Sequence, residues 1–522
     1  MLKDYEKTNG PVVSVLISTF NRSQSLYEAL ASVFRQSYKN LQVIVINDGG
    51  EDVSDVINSF NESRLIYINR RENRGKASSL NEALHEVEGK YIAYLDDDDI
   101  FYPFHVEALV NALENETDCQ VAYSDLYKTY CKVFLDGSRQ VLSKVVEVSR
   151  DFERFLMLNF NHVLHVSLMH HRDLIERTGP YNEQLNVLID WDLTRRLAFF
   201  SDFHHVHMVT GEYSHPMGEC DRISVQRRKD KKEYLRNVLT IRTTRPPKPW
   251  LKIEDLSIIF VTDRLDKCAG KTIGSIWQHT FYPYKLYLPM SESDFNRLNT
   301  DMPNLVFVHL EQNSSQTKQI DAALEKCEGQ YIAIVPRNFP IKDMWIENPL
   351  YALINCVNDR HGFLLEQTTD QLWAAVLRKD DLQFVRRRFP DLSVLESLKA
   401  AGVTFRKPGK EELPFQFDNL YHLALSVEKE GDWLQAAQMY EHIAEQHQNV
   451  LWMKRLAAKA FFKAGDHAKA EGLCCEVNRH QPTVDTLLLE AKIKRENNRL
   501  NSAIELLTRA ANTLEGHEFI WT

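Results

Sequence analysis

Tyr91 to Asp99 read YIAYLDDDD, five apolar or aromatic residues followed by Asp96, Asp97, Asp98 and Asp99. The apolar part is expected as a buried strand, and the carboxylates fall at its end. Adjacent carboxylates repel one another, and without a cation some would protonate or splay into water. A divalent ion resolves the repulsion. Mg2+ and Mn2+ take carboxylate and phosphate oxygens together, so an Asp-x-Asp at a strand end can hold a nucleotide diphosphate through the metal. The competing reading is a solvated acidic turn, and the flanking sequence decides between the two.

Working outward, VVSVLIST (12–19), LQVIVIND (41–48) and RLIYIN (64–69) read as strands, and SLYEALASVFRQ (25–36) and SSLNEALHEV (78–87) as helices. Strand and helix alternating at this spacing imply an α/β fold of parallel strands with crossover helices. Ligands in such sheets sit at the C-terminal strand ends, which singles out Thr19, Asn21, Asp48 and the four aspartates.

The pattern then repeats. After TRPPKPW (244–250), Ser257–Thr262 (SIIFVT) matches Ser14–Thr19 (SVLIST), and Asp321–Val335 (DAALEKCEGQYIAIV) overlays Asn81–Leu95 (NEALHEVEGKYIAYL). Asn21 becomes Arg264, Asp48 becomes Ser291, and Asp96 to Asp99 become Pro336, Arg337, Asn338 and Phe339. A scaffold kept while its strand-end carboxylates are lost reads as an inactive copy. Beyond PGKEELP (408–414) the period becomes helical; Gly431 and Gly465, and Ala436 and Ala470, stand one ~34-residue period apart, a spacing that resembles tetratricopeptide repeats. Such repeats present a concave surface to a protein partner. The expected division is 1–249, 250–413 and 414–522.

The 522 residues carry a formal net charge of −10, which argues against a nucleic-acid partner, and contain no apolar run near the ~20 residues that cross a bilayer. MLKDYEKTNG lacks the basic start and apolar core of a signal peptide, so a cytoplasmic location is expected, with peripheral contact at the inner membrane face left open. The eight cysteines show no CxxC pair and are expected as reduced thiols. His162, His165, His170 and His171, and His204, His205 and His207, are expected on the surface or in loops rather than as a zinc site, because the sequence shows no ligand geometry.

Five motifs in order, VSVLISTFNR (13–22), VIVINDGG (43–50), NRGKASSLN (73–81), YIAYLDDDD (91–99) and LIDWDLTRRL (188–197), resemble the inverting glycosyltransferases of family 2, which have a GT-A fold. The resemblance covers roughly residues 11–225 and implies transfer of a sugar from a nucleotide sugar, a UDP-sugar first, with Mn2+ or Mg2+ as cofactor. It implies that Thr19 and Asn21 line the nucleotide pocket, and that Asp48 accepts a hydrogen bond from the base. Asn73 and Gly75 would shape the adjoining loop, with Lys76 as a charge contact. Asp96 would reach the ribose with Asp97 beside it on the donor side, Asp98 would be the main metal ligand, and Asp99 would support the loop.

The family pattern near the acceptor reads Glu-Asp-Trp-Asp-Leu, whereas Ile189 precedes Asp190 here. By the resemblance Asp190 is the base, with Asp192 as the alternative and a helix cap as the competing role for either. Trp191 stacks on a sugar or fills the core. His215, in GEYSHP, completes the metal site or is an ordinary loop histidine. The acceptor implied is a hydroxyl of a glycan, lipid-linked glycan or protein, in polysaccharide or glycoprotein synthesis. The opposing function class is a non-catalytic scaffold of a glycan-assembly complex, which would have little reason to keep Asp48, Asp96, Asp98 and Asp190 together.

Overall fold

The computed structural model describes residues 10–116, 118–134, 139–146, 149–217, 230–298, 302–355, 361–369, 372–446, 451–480 and 482–515. Cys220 and Cys356 lie outside them; Cys119, Cys131, Cys268, Cys327, Cys474 and Cys475 form no disulfide among the described residues.

The apolar runs are strands: β1 (Val13–Thr19), β2 (Leu41–Asn47), β3 (Leu65–Asn69) and β4 (Tyr91–Asp96). They pair in parallel in the order β3-β2-β1-β4. Nearly every side chain of β1, β2 and β4 is buried, as required of a parallel sheet covered on both faces. Leu26, Ala29, Leu30 and Val33 share one face of the helix Ser23–Phe34 at helical spacing and pack on Val13, Val15 and Ile17. Each such buried Leu or Val contributes about 1.5–3 kcal/mol.

Past β4 the sheet changes sense. β5 (Ile100–Phe101), β6 (Cys119–Val133), β7 (Arg139–Val145), β8 (Leu168–His171) and β9 (Asp202–Pro216) extend it, with β8 antiparallel to both β4 and β6. β9 runs parallel to β6, and the register slips between Ser124 and Asp125, which face Val206 and Val209.

The second sheet repeats the first. β10 (Leu256–Val261), β11 (Tyr284–Met290), β12 (Leu305–His309) and β13 (Tyr331–Pro336) take the order β12-β11-β10-β13, followed by β15 (Leu372–Arg378), β14 (His361–Thr369) and β16 (Thr404–Arg406). The registers agree residue for residue: Val13 lies beside Leu41 and Tyr91, and Leu256 beside Tyr284 and Tyr331. These are the positions that the sequence overlay equates. The chain therefore carries two α/β sheet domains of one topology, the first with the GT-A arrangement, and a C-terminal all-α region.

That region holds six helices among the described residues: Gln416–Glu430, Trp433–Gln446, Leu451–Lys463, His467–His480, Val484–Glu496 and Leu500–Glu515. The recurring Gly-Asp has a local cause. Gly431 and Gly465 turn the chain at φ 89° and 88°, a region that glycine enters without cost, and Asp432 and Asp466 then accept from the backbone N–H of Gln435 and Lys469 to start the next helix. Asn498, at φ 58°, makes the third turn. Ala436, Ala437, Ala457, Ala458 and Ala470 are all fully buried at the helix contacts.

The chain forms two compact units, one of residues 1–157, 161–231 and 417–522, the other of 158–160 and 232–416. The helical region thus belongs to the first unit. There the Tyr127 hydroxyl donates to the Pro482 carbonyl at 2.7 Å, and Arg150 meets Asp418 through two bonds of 2.8 and 3.0 Å.

Candidate active site

The C-terminal ends of β1, β2 and β4 converge on one set of charges. Thr19 ends β1 with its hydroxyl donating to Asp97 Oδ2 at 2.8 Å. Asn21 then turns the chain at φ 56°, and its Oδ1 accepts from the backbone N–H of Glu51 at 2.8 Å, which ties the end of β1 to the end of β2. The turn delivers Arg22, whose guanidinium lies 2.9 Å from Asp97 and 3.2 Å from Asp98. Arg22 was not singled out from the sequence, although it closes the first of the five motifs.

Asp48, at the end of β2, is an organising group. Its Oδ1 accepts from Arg70 and from the backbone N–H of Arg74, each at 3.0 Å, and its Oδ2 from the backbone N–H of Gly75 at 2.8 Å. Asn73 Oδ1 accepts from the same Gly75 N–H at 3.1 Å. Gly49 makes the approach of this loop feasible: at φ 72°, a Cβ would stand 2.3 Å from the carbonyl carbon of Glu72. Gly75, at φ 89°, opens the helix Lys76–Leu84, and Lys76 Nζ reaches Asp96 Oδ1 at 2.5 Å. Arg70 is the second residue that sequence reading missed; it also bonds Glu82 and the Ser78 carbonyl.

The four carboxylates differ. Burial pushes Asp96 up, but Lys76, with Arg22, holds it below the ordinary range. Burial, reinforced by Asp98 and Asp96, pushes Asp97 to about 6 despite Arg22 and the Thr19 hydroxyl. Asp99 is buried and accepts from the backbone N–H of Ser214 at 2.8 Å. The Asp98 carbonyl accepts from Arg139, which also pairs with Glu28 at 2.9 Å. Asp96, Asp98 and Asp99 each offer an oxygen within 4.8 Å of the others. An all-oxygen donor set of this kind fits Mg2+ or Mn2+. His215 is not part of that group; its ring packs edge-on against Tyr130 at 5.1 Å, one residue beyond the backbone group that anchors Asp99.

Asp190 stands in the first turn of the helix Ile189–Leu197, which Leu188 enters at φ 64°. Asn161 Nδ2 donates to its Oδ2 at 3.0 Å. Burial raises its pKa, Lys76 opposes the rise and Asp96 adds to it, so Asp190 shares the field of the strand-end charges. Asp192 is committed elsewhere: it is buried and pairs with Arg196 at 2.7 Å, and Arg196 also donates to the carbonyls of Thr178 and Gly179. Trp191 takes the core alternative. It is 3% exposed and its Nε1 donates to the Met157 carbonyl at 2.8 Å, which leaves no ring face for a sugar.

The surface expectation for the histidines fails at three positions. His165 is stacked on Tyr94 at 4.1 Å and bonds the Tyr181 hydroxyl, His170 bonds the Tyr94 hydroxyl at 2.8 Å, and His205 is buried between β6 and its neighbours. Burial lowers His165 to about 3 and His170 to about 4, so both are neutral rings; each meets a tyrosine hydroxyl through Nε2, and Nδ1 of His170 also meets the His171 carbonyl.

At the matching place in the second sheet the polarity is inverted. Arg337, standing where the overlay puts Asp97, pairs with Asp266 at 2.6 Å and Asp263 at 3.3 Å. A cation has replaced the carboxylate after the fourth strand, and carboxylates have replaced the cation after the first. The neighbouring cleft is lined by Thr262, Arg264, Ser291, Asp294 and Asn313, among others.

Comparison with known proteins bears on the first sheet. The sequence model of Glycosyl transferase family 2 matches residues 14–168. An uncharacterized glycosyltransferase of Rickettsia prowazekii is 29% identical over 207 residues, 38% of this chain and 63% of that protein. The Escherichia coli UDP-Glc:alpha-D-GlcNAc-diphosphoundecaprenol beta-1,3-glucosyltransferase WfaP is 26% identical over 210 residues, 38% of this chain and 78% of its own. Among solved structures, S. aureus TarS 1-349 in complex with UDP-GlcNAc aligns at 17% identity and a TM-score of 0.34, over 44% of this chain and 66% of that one. The mannosyltransferase PcManGT from Pyrobaculum calidifontis in complex with GDP-Man and Mn2+ aligns at 18% identity and a TM-score of 0.34, over 46% and 67%. The N-terminal part of this chain, holding the strand-end aspartates of β4, is a family 2 glycosyltransferase domain.

Proposed function

We propose that the protein is an inverting glycosyltransferase that passes a sugar from a nucleotide sugar, a UDP-sugar first, to a hydroxyl acceptor. The observation that carries the reading is the joint placement of Asp96, Asp98 and Asp99, within 4.8 Å of one another, with Lys76 on Asp96 and Asp190 in the same field. Asp98, with Asp96 and Asp99, would hold Mn2+ or Mg2+, which supplies neutralisation of the leaving diphosphate. Asp48 fixes the 73–75 loop and keeps acceptor capacity on Oδ2 for an imide N–H such as that of uracil. Thr19, Asn21, Asn73 and Gly75 shape the donor side, and Lys76 and Arg22 balance its charge.

Asp190 takes the acceptor proton as the hydroxyl oxygen bonds to C1 of the sugar and the C1–O bond to the diphosphate breaks. A raised pKa strengthens the carboxylate as a base, and Asn161 orients it. Asp192, held by Arg196, supports the helix instead. The inverted charges at Arg337 support a non-catalytic second domain, so the scaffold reading belongs to residues 250–413 rather than to the whole chain. The helices from 414 onward, read as tetratricopeptide-like, would serve a protein partner, and the acceptor is a glycan, a lipid-linked glycan or a protein. No helix among the described residues is long and apolar enough to cross a membrane.

The test is a donor screen: nucleotide release from UDP-, GDP- and dTDP-sugars by the full chain, with Mn2+, with Mg2+ and with EDTA. Release from one donor class that requires the metal supports the reading. Release that is equal in EDTA overturns the metal's part in it, and release from none of the donors overturns the reading itself.

A further inference from the structure

His205 and His207 stand two apart on β9, and both rings reach the same carboxylate. His205 Nδ1 lies 3.1 Å from Asp151 Oδ1, and His207 Nε2 lies 3.2 Å from that same oxygen. The two rings are 4.1 Å apart between centroids, and the three ligand atoms all lie within 4.8 Å of one another. The slip between β6 and β9 falls here: Ser124 faces Val206 and Asp125 faces Val209, so His207 and Met208 stand opposite no partner in the ladder. A bulge of this kind re-aims side chains that a regular strand would alternate strictly between the two faces of the sheet. None of the proposed transferase residues takes part.

We propose that Asp151, His205 and His207 are a metal site for Zn2+, separate from the strand-end carboxylates. Three features fit. Two imidazole nitrogens and one carboxylate oxygen are the donor set of open zinc sites, which keep a fourth position for water. At Zn–N and Zn–O bonds of about 2.0–2.1 Å, tetrahedral ligands stand ~3.4 Å apart, close to the two edges already in place. The third feature is the support behind the ligand. The other nitrogen of His205, Nε2, meets the buried Asp125 at 2.9 Å, and Asp125 in turn accepts from Ser149 at 2.8 Å. A carboxylate behind a ligating histidine fixes its tautomer and orientation and is the usual second partner of zinc-bound imidazole. The side chain of Asp151 is 50% exposed and that of His207 32%, which gives the ion an entry path, while that of His205 is 2% exposed and anchors the site.

The ion has something to hold. Ser149, Arg150 and Asp151 are consecutive: the first bonds Asp125, the third is the ligand, and Arg150 between them makes the paired bonds to Asp418 on the helix Gln416–Glu430. Zinc at this position fastens the 149–151 segment to β9 and thereby steadies the seat of the first C-terminal helix.

The same contacts also exist as plain hydrogen bonds, and the experiment separates the two states. Untagged full-length protein is stripped with EDTA, desalted, and titrated with ZnCl2 in excess Mg2+, which occupies the strand-end carboxylates. One Zn2+ per chain is expected. His207→Ala and Asp151→Asn, both at accessible positions, should each weaken binding by ~100-fold or more, and Asp125→Asn, which leaves every ligand in place, by about 10–100-fold. Co2+ in place of zinc should show tetrahedral d–d absorption in the wild type and lose it in His207→Ala. Hydrogen exchange in the helix Gln416–Glu430 should slow on zinc addition only where His207 is present. Absence of stoichiometric zinc, or equal affinity in His207→Ala with its circular dichroism unchanged, overturns the site. Unchanged exchange in that helix on zinc binding overturns the fastening role.

Discussion

Asp97→Asn tests the electrostatics of the strand-end charges. Asp97 is 5% exposed, and burial lifts its pKa from the ordinary 3.8 to about 6. A carboxyl whose folded pKa lies above its unfolded value binds its proton more tightly when folded, so stability is fully present below about pH 4 and is lost as pH rises toward 6. At 1.36 kcal/mol per unit, about two units correspond to ~3 kcal/mol, and asparagine stands in for the neutral acid while still accepting from Thr19. The variant should therefore be more stable than wild type by about 1–3 kcal/mol at pH 7.5 in EDTA, and the two should converge near pH 4. Guanidinium unfolding from pH 4 to 8 gives both numbers. A variant less stable than wild type at pH 7.5 by more than ~1 kcal/mol would refute the reasoning, because it would show that Arg22 stabilises the ionised form by more than burial costs.

Asp98→Ala should lose metal-dependent UDP binding in a calorimetric titration; because the inverted charges at Arg337 leave no metal set among the described residues of the second sheet, no residual metal-dependent heat is expected from it. Trp191→Phe should cost about 1–3 kcal/mol, the price of an unmet buried Met157 carbonyl, and leave the KM for acceptor unchanged; a several-fold rise in that KM would restore a contact with the sugar. Lys144 and Glu212 form an ion pair in which each side chain is 1% exposed, and Glu212 also accepts from Tyr102 and Thr129. Lys144→Ala should cost about 3–5 kcal/mol in denaturant unfolding, and a loss under ~1 kcal/mol would show that water reaches Glu212.

What the sequence disclosed was periodic or local. Four apolar runs ending in polar residues gave β1 to β4, and the overlay of Asn81–Leu95 on Asp321–Val335 marked the strand β13 as the counterpart of β4. The ~34-residue spacing of Gly431 and Gly465 pointed to repeated helices, and the turn at each glycine with its Asp cap is the local demand behind that spacing. The hidden part was long-range. Nothing in the pattern around Tyr127 points to Pro482, or around Arg150 to Asp418, so the packing of the C-terminal helices with the first sheet could not be read. Asp48 looked like a free strand-end acceptor because its partners Arg70, Arg74 and Gly75 approach through the chain's return from β3. Trp191 and Asp192 look as functional in sequence as Asp190; burial against Met157 and pairing with Arg196 set them apart. His205 resembled its neighbours in sequence; in the fold its ring stands between the carboxylates of Asp125 and Asp151, which lie far from it along the chain.

The central claim is that Asp190 removes the acceptor proton at a metal-dependent donor site. It is tested most directly by turnover of the full chain and of Asp190→Asn on the donor found in the screen, with UDP affinity measured in parallel. The account predicts unchanged metal-dependent UDP binding and transfer slower by ~100-fold or more. Turnover of the variant within about threefold of wild type, with the same dependence on pH, would contradict it.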